Sequence, residues 1–240
     1  MKPSIDEVLP QQNPEFVRET FSRISPRYDL ANHLLSGGLD FLWRGRAAKI
    51  VAGWNPKRVL DLATGSGDLA ITIQKACPDA RVIGADFCLP MLEKARAKGF
   101  SDLVQADALH LPFGDGSFDV ITVAFGLRNM ASWSAALTEM SRVLTPHGHL
   151  LVLDFSLPKH AWLKSIYRLY LHHVLPRIAG GVTGSKSAYD YLGESIEKFP
   201  SGPAMLRLME ENGFHDAAAH PLAAGITSIY TAARKATAQH

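Results

Sequence analysis

One stretch, Arg58-Val59-Leu60-Asp61-Leu62-Ala63-Thr64-Gly65-Ser66-Gly67-Asp68, constrains this chain more than any other. An apolar run ends in an acidic residue, and a glycine-rich turn then leads into Leu69-Ala70-Ile71-Thr72-Ile73. The pattern predicts a buried parallel strand, a tight turn and the first turn of a helix. Such a turn lets a bulky ligand press against bare backbone N–H groups at a helix N-terminus.

The sequence after this stretch alternates. Apolar strand segments are expected at 58–63, 81–85, 101–105, 118–124 and 148–154, with helices at 67–76, 89–98 and 132–144 between them. Alternation of this kind specifies a parallel sheet covered by helices on both faces. Pro146-His147-Gly148 is read as the stop that ends the helix before the fifth strand. Residues 157–200 interrupt the pattern with aromatic-rich helical sequence. A helix at 202–212, stopped by Gly213, and strands at 214–220 and 226–233 complete the chain. Ahead of the glycine-rich turn, residues 14–53 read as helices, with Val17, Phe21 and Ile24 on one face and a second helix from Leu39 to Ala52 after Gly37-Gly38.

Size and composition bound the function. With 240 residues, 47% of them hydrophobic, the chain suits one α/β domain with a sizeable core and added helices. A net charge of +2 argues against a dedicated nucleic-acid binder. Lys57-Arg58 and Arg44-Gly45-Arg46 read as solvated strand and helix ends. Cys77 and Cys88 form no C-x-x-C pair and no metal spacing, as expected of reduced thiols in a cytosolic protein. The first residues lack the apolar core of a signal peptide. No apolar run approaches the roughly 18 residues of a membrane span. The histidines, among them His33, His147, His149 and His172-His173, lack carboxylate or Cys partners at metal-ligand spacing.

Three acids stand at the carboxyl ends of expected strands: Asp61, Asp86 and Asp107. That edge is where open α/β sheets bind ligands, and an acid after the second strand can accept both hydroxyls of a ribose. Gly65-Ser66-Gly67-Asp68-Leu69-Ala70 also satisfies G-x-G-x-x-A, so a dinucleotide must be weighed. A turn carrying Asp61 and Asp68 is a poor host for a pyrophosphate, whereas the same carboxylates suit an ammonium or sulfonium group. Asp61 and Asp68 as mere helix caps is the simpler alternative. With Asp86 and Asp107 included, S-adenosylmethionine is the better-fitting ligand.

Further blocks carry a family resemblance: Arg27-Tyr28-Asp29, Ala106-Asp107-Ala108 with Leu111-Pro112-Phe113, Phe118-Asp119, Phe125-Gly126-Leu127-Arg128-Asn129 and Tyr191-Leu192-Gly193-Glu194-Ser195-Ile196. From about Phe21 onward the chain resembles the C-methyltransferases of menaquinone and ubiquinone biosynthesis. The resemblance implies a Rossmann-like class I methyltransferase, with a seven-stranded, mostly parallel sheet whose last strand is antiparallel. It implies an N-terminal helical lid over 1–56 and a methyltransferase domain over 57–240, with a helical insertion at about 157–200 for substrate.

Carried over by motif, Asp61, Gly65, Ser66 and Gly67 form the cofactor turn, with Ser66 at the methionine part. Asp86 holds the ribose, and Asp107 with Ala108 flanks the adenine. Arg128 and Asn129 fall beside the methyl group, and Tyr28 belongs to a closing helix. The chain departs from the family at Ser66, usually Thr, and at Ala124, often Ser.

The implied reaction methylates a ring carbon of a polyprenylated hydroquinone, demethylmenaquinol first and the ubiquinone precursor as the rival ring. An NAD-dependent oxidoreductase and a non-enzymatic cofactor sensor are the rivals from other classes. The implied task is in-line positioning plus removal of a phenolic proton to make the ortho carbon nucleophilic. Arg128 stays protonated and is a poor base, so the expectation is that it lowers the phenol's pKa and orients a water that takes the proton. His33 is a second proton-acceptor option.

The expected partner is a lipophilic quinol, with no nucleic acid and no metal; self-association stays open. In residues 160–174, Lys164, Arg168 and His172 form a basic stripe between Trp162, Ile166 and Leu169 on one flank and Leu163, Tyr167, Tyr170 and Val174 on the other. Such a helix can rest on an anionic membrane surface or cover a prenyl tail, making the chain cytoplasmic or peripheral to the inner face of the membrane. Packing on the domain with a solvated stripe is the alternative.

Overall fold

Alternate side chains of a strand point to opposite faces of a sheet, and here both faces are apolar. In the computed structural model, Val59, Val82, Val120, Leu151 and Leu153 pack on one side; Leu60, Ile83, Ile121, Leu150 and Val152 pack on the other. A sheet apolar on both faces must be covered twice, which requires helices front and back. The structure describes residues 38–158, 160–174 and 186–236, with Glu15, Glu19, Ser22 and Ser36 as isolated positions.

Helix α1 (Leu39–Gly53) precedes β1 (Arg58–Leu62), α2 (Asp68–Ala76), β2 (Arg81–Asp86), α3 (Leu89–Ala97), β3 (Leu103–Gln105) and β4 (Phe118–Ala124). A 3-10 turn at Leu127–Asn129 leads to α4 (Trp133–Val143) and β5 (Leu144–Phe155). Then come α5 (Ala161–Leu169), which runs on as a π-helical turn to Val174, α6 (Lys186–Lys198), α7 (Pro203–Glu211), β6 (Phe214–Leu222) and β7 (Thr227–Arg234). The seven strands lie in the order β3-β2-β1-β4-β5-β7-β6. β7 runs antiparallel to both neighbours and the remaining pairings are parallel. This is the sheet the resemblance implied. Helices α1 and α2 cover the first face through Trp43, Ala47, Val51, Ala70 and Ile73. Helices α4 and α7 cover the second through Leu137, Met140, Met205 and Leu208.

Two expectations are corrected. Pro146-His147-Gly148 does not end a helix: α4 stops at Val143 and β5 already begins at Leu144. The tripeptide instead forms an irregularity inside the strand, where the register against β4 shifts between Phe118 and Val120 and His147 takes a φ of 63°. A Cβ at Gly148 would lie 2.9 Å from the Thr145 carbonyl oxygen, so the backbone can bend there only because glycine has none. Arg44 is not a solvated helix end; it is buried, with consequences below. Most of the expected lid at 1–56, including Tyr28 and His33, lies outside the described residues.

Candidate active site

The strand order reverses at β1, which has β2 on one side and β4 on the other. Chain segments leaving β1 and β4 depart to opposite faces, and a crevice opens between them at the carboxyl edge. A cleft of about 280 Å³ sits there. Its walls come from the ends of four strands: Ala63 and Gly65 after β1, Asp86 after β2, Asp107 and Ala108 after β3, and Phe125 and Asn129 after β4.

Close approach of two turns builds the floor. Ala63 and Phe125, at the ends of β1 and β4, both take left-handed backbone (φ 53° and 56°), a conformation that costs a residue with a side chain of order 1 kcal/mol or more. Between them, a Cβ at Gly126 would fall 2.5 Å from that of Ala63, so only glycine fits. Neither strained position carries a glycine, so the sequence pattern held no signal for them.

Asp61 fastens the glycine-rich turn. It is fully buried and accepts from Thr64 Oγ1 and Thr122 Oγ1, each at 2.7 Å, and from the backbone N–H of Ala70 in α2. Burial outweighs these donors and pushes its pKa up to about 6. Asp86 is the second such carboxylate, also pushed up to about 6 by burial. It accepts from Gly65 N and Cys88 N, each at 2.9 Å, tying the first turn to the second while facing the cleft. Asp107 accepts from Leu109 N at 2.9 Å and lies at the rim.

Ser66 and Gly67 are the last residues of the turn, and Ser66 is buried. Gly67, with φ 81°, ends the turn and starts α2 without any side-chain cap. Beside the main cleft is a second cavity of about 30 Å³, lined by Arg44, Asp61, Ser66 and Asp68 and sharing Ala63, Gly65 and Phe125 with its neighbour.

Arg128 and Asn129 separate. Asn129 lines the cleft. Its amide nitrogen donates to the Phe125 carbonyl at 3.2 Å and its oxygen accepts from Tyr191 Oη at 3.1 Å. Arg128 is turned inward: Nη1 donates to the Phe125 carbonyl at 2.6 Å and to the fully buried Asp154 at 2.8 Å, with the guanidinium over the Phe155 ring. Burial raises the pKa of Asp154, and it pushes that of Tyr191 up to about 12, so the phenol stays a donor to Asn129.

Sequence reading missed the roles of four of these residues. Asp154 ends the apolar run Leu150-Leu151-Val152-Leu153, the same signal that marked Asp61. Asp40 and Arg44, four apart on α1, form a buried pair at 2.6 Å, and that spacing was the available clue. Tyr191 was part of a motif but had no role attached.

The residues fit S-adenosylmethionine on the structure's own terms. Gly65 leaves room that a Cβ would take, 3.4 Å from Met91 Cε. Ala106, Ala108 and Met91 give the cleft an apolar wall against which a base can pack, Asp86 offers acceptors to a sugar, and the charged side cavity suits an amino-acid end.

Comparisons agree with this geometry. The ubiE/COQ5 methyltransferase family matches residues 8–234. A demethylmenaquinone methyltransferase of Thermus thermophilus is 49% identical over 81% of this chain and 90% of its own length. A ubiquinone/menaquinone biosynthesis C-methyltransferase UbiE of Syntrophotalea carbinolica is 44% identical over 90% and 93%. In fold, the chain is similar to a possible histamine N-methyltransferase of Thermotoga maritima, with a TM-score of 0.65 at 19% identity over 90% of this chain and 99% of that one. On the extent of these matches, the chain belongs to the ubiE/COQ5 methyltransferase family.

Proposed function

We propose that the chain transfers a methyl group from S-adenosylmethionine to a ring carbon of a polyprenylated hydroquinone, with demethylmenaquinol as the substrate. S-adenosylmethionine is its cofactor, and C-methylation is its class of reaction. The observation that carries the reading is the cleft at the β1/β4 switch point, with Asp86 and Asp107 on one side and Asn129 on the other. The preference for the menaquinone ring rests on the names borne by the relatives from Thermus thermophilus and Deinococcus radiodurans, at 49% and 44% identity.

When bound, the cofactor supplies an electrophilic methyl carbon on a sulfonium; methyl transfer leaves a neutral thioether. Asp86 holds the ribose and Asp107 with Ala108 flanks the adenine. Asn129, clamped by Tyr191 and the Phe125 carbonyl, orients the ring hydroxyl. Arg128, paired with Asp154 behind Asn129, acts as a positioning residue that fixes the Phe125 carbonyl and the wall carrying Asn129, while the phenolic proton leaves to water. The ortho carbon then forms the new C–C bond as the carbon–sulfur bond breaks; loss of the proton on that ring carbon restores aromaticity, and the oxygen takes one proton back from water to give the methylated hydroquinone, with one proton released overall.

Substrate access fits α5. Trp162, Ile166 and Leu169 are exposed on one flank, while Tyr167 packs inward with Leu171 and Ile196. Glu197 lies 2.8 Å from Arg168 and 3.4 Å from His172, which leaves the basic stripe partly neutralised. Lys164 and the apolar flank form the contact we assign to a membrane surface from which the quinol enters. Among the described residues no helix is long and apolar enough to cross a membrane.

Methyl transfer to short-chain demethylmenaquinol and to the corresponding ubiquinone precursor, each followed by mass spectrometry, tests the reading. Turnover of the naphthoquinol ring, exceeding that of the benzoquinol, is expected. Turnover of the benzoquinol alone would reassign the substrate, and turnover of neither would refute the proposal.

A further inference from the structure

The loop from β3 to β4 is held from outside the cleft. Its first residues, Asp107 and Ala108, stand on the cleft wall with Leu109. Two bonds inside this turn fix its shape: Leu109 N–H donates to Asp107 Oδ1 at 2.9 Å, and His110 N–H donates to the Asp107 carbonyl at 3.0 Å. Neither bond fixes its place over the sheet. Place comes from packing of Ala108 and Leu109 on the core and from bonds at the two ends of the turn. At the first end, Ala106 N–H donates to the Asp86 carbonyl at 3.0 Å. At the second end stands Leu111, whose N–H and carbonyl both go to side chains of α4.

Those side chains are Glu139 and Arg142. Glu139 Oε1 accepts from Leu111 N at 2.7 Å, and Arg142 Nη2 donates to the Leu111 carbonyl at 3.2 Å. Three residues apart on the helix, the two also pair as a fork, Nε on Oε2 at 2.8 Å and Nη2 on Oε1 at 2.7 Å. Arg142 Nη1 reaches on to the Phe113 carbonyl at 2.9 Å and to Asp115 Oδ1 at 2.6 Å. All three guanidinium nitrogens are therefore spent on this loop and on the acid that shares the task. Hydrogen bonding from the guanidinium holds the Glu139 carboxyl below its ordinary pKa, so the clamp stays charged at neutral pH. The Glu139 side chain is 15% exposed, which shields the pair from the solvent screening that weakens open surface pairs.

The clamp acts two residues beyond Leu109, the last residue of the loop to line the cleft. Within the turn, Asp107 Oδ2 and the Ala108 N–H make no hydrogen bond among the described residues. An open acceptor and an open donor in one turn match adenine, whose edge carries an amino donor beside a ring-nitrogen acceptor. We propose that Glu139 and Arg142 are positioning residues for the cofactor: through Leu111 they set the place of the Asp107–Ala108 turn against the adenine, and with it the selectivity for that base. The arrangement rests on S-adenosylmethionine as the cofactor. Neither side chain lines the cleft; both act through the turn.

Calorimetric titration with two ligands reads this effect. One is S-adenosylhomocysteine, and the other is S-inosylhomocysteine, in which an oxo group replaces the adenine amino group and the ring nitrogen beside it becomes a donor. Wild type is expected to prefer the adenine ligand at least about tenfold. Removing one partner strands the other, so the variant to use is the double Glu139→Ala/Arg142→Ala. Its affinity for S-adenosylhomocysteine should fall about tenfold while that for S-inosylhomocysteine changes by less than about twofold, so the preference disappears. Glu139→Gln keeps an acceptor for the Leu111 N–H and should keep most of the preference. Arg142→Lys keeps the charge without the fork, should keep only part of it, and carries the test if the double variant does not fold.

A double variant that keeps the full preference overturns the proposal, whatever its Tm. An equal loss for both ligands also overturns it, since that marks a general loosening of the fold. For Arg142→Lys, an undiminished preference is the contrary result. Wild type binding both ligands equally would show that the turn does not read the base, and the proposal falls. Wild type binding neither would refute the cofactor reading itself, and the proposal with it.

Discussion

Arg128 and Asp154 meet at 2.8 Å in the interior, joining the turn after β4 to the end of β5 directly behind the cleft. Asp154 is fully buried and the guanidinium nearly so, which makes this pair the anchor of the wall that carries Asn129. Removing one partner from such a pair leaves an uncompensated charge in the core. Asp154→Asn is expected to cost about 3–5 kcal/mol of stability, measured by chemical denaturation.

Arg128→Lys separates field from fork. Lysine keeps the positive charge but is shorter and lacks the planar guanidinium, so its Nζ must reach from farther back the two acceptors that Nη1 takes, and it loses the stacking over Phe155. Turnover should fall at least about tenfold with S-adenosylhomocysteine affinity preserved. Near-normal turnover would show that the fixed geometry is dispensable.

Tyr191 bears on the reaction through Asn129. Tyr191→Phe removes the donor that fixes the Asn129 amide, at a cost of about 1 kcal/mol to the bond itself. A lower kcat with unchanged KM for S-adenosylmethionine is expected, since Tyr191 acts on the substrate side of the cleft through the Asn129 amide. A rise in that KM instead would place Tyr191 in cofactor binding.

Gly126→Ala places a methyl 2.5 Å from the Ala63 side chain, where two backbones must separate to relieve it. Overpacking of this kind costs about 1–3 kcal/mol. A lower Tm and weaker S-adenosylhomocysteine binding should appear together, because the displaced turn is the cleft floor.

The cleft carboxylates give a pH signature. Burial raises both Asp61 and Asp86 to about 6. The free fold therefore holds protons more tightly than the unfolded chain, and these two groups destabilise it above about pH 6. That penalty fades as the pH falls toward the ordinary carboxylate range. Cofactor binding runs the other way, because the ionised Asp86 is the better acceptor for the ribose hydroxyls and the ionised Asp61 favours a cation beside the turn. S-adenosylmethionine affinity should weaken below about pH 6, by up to about tenfold per pH unit for each group. A flat affinity from pH 7.5 to 5 would show that the ionisation of neither carboxylate is coupled to cofactor binding.

What was legible in the sequence was whatever sat at a strand end in an otherwise apolar run. Asp61 and Asp86 announced themselves that way, and the strand–turn–helix at 58–73 implied the switch point they line. Asp154 carried the same signal without being singled out. Arg44 was hidden because an R-G-R on a helix resembles any solvated face; only its spacing from Asp40 betrayed a buried pair. The left-handed backbone at Ala63 and Phe125 was invisible for another reason. It is imposed by two turns packing against each other across Gly126, a tertiary effect with no local signature. The inward turn of Arg128 belongs to the same class, since its partner Asp154 is 26 residues away in sequence.

Transfer of a 13C-labelled methyl group from S-adenosylmethionine to short-chain demethylmenaquinol, read by carbon NMR of the extracted product, tests the central claim most directly. The label is predicted on an aryl methyl carbon of the naphthoquinol ring, with one equivalent of S-adenosylhomocysteine formed. A label in the methoxy region would make the chain an O-methyltransferase, and an unlabelled quinol would contradict the assignment altogether.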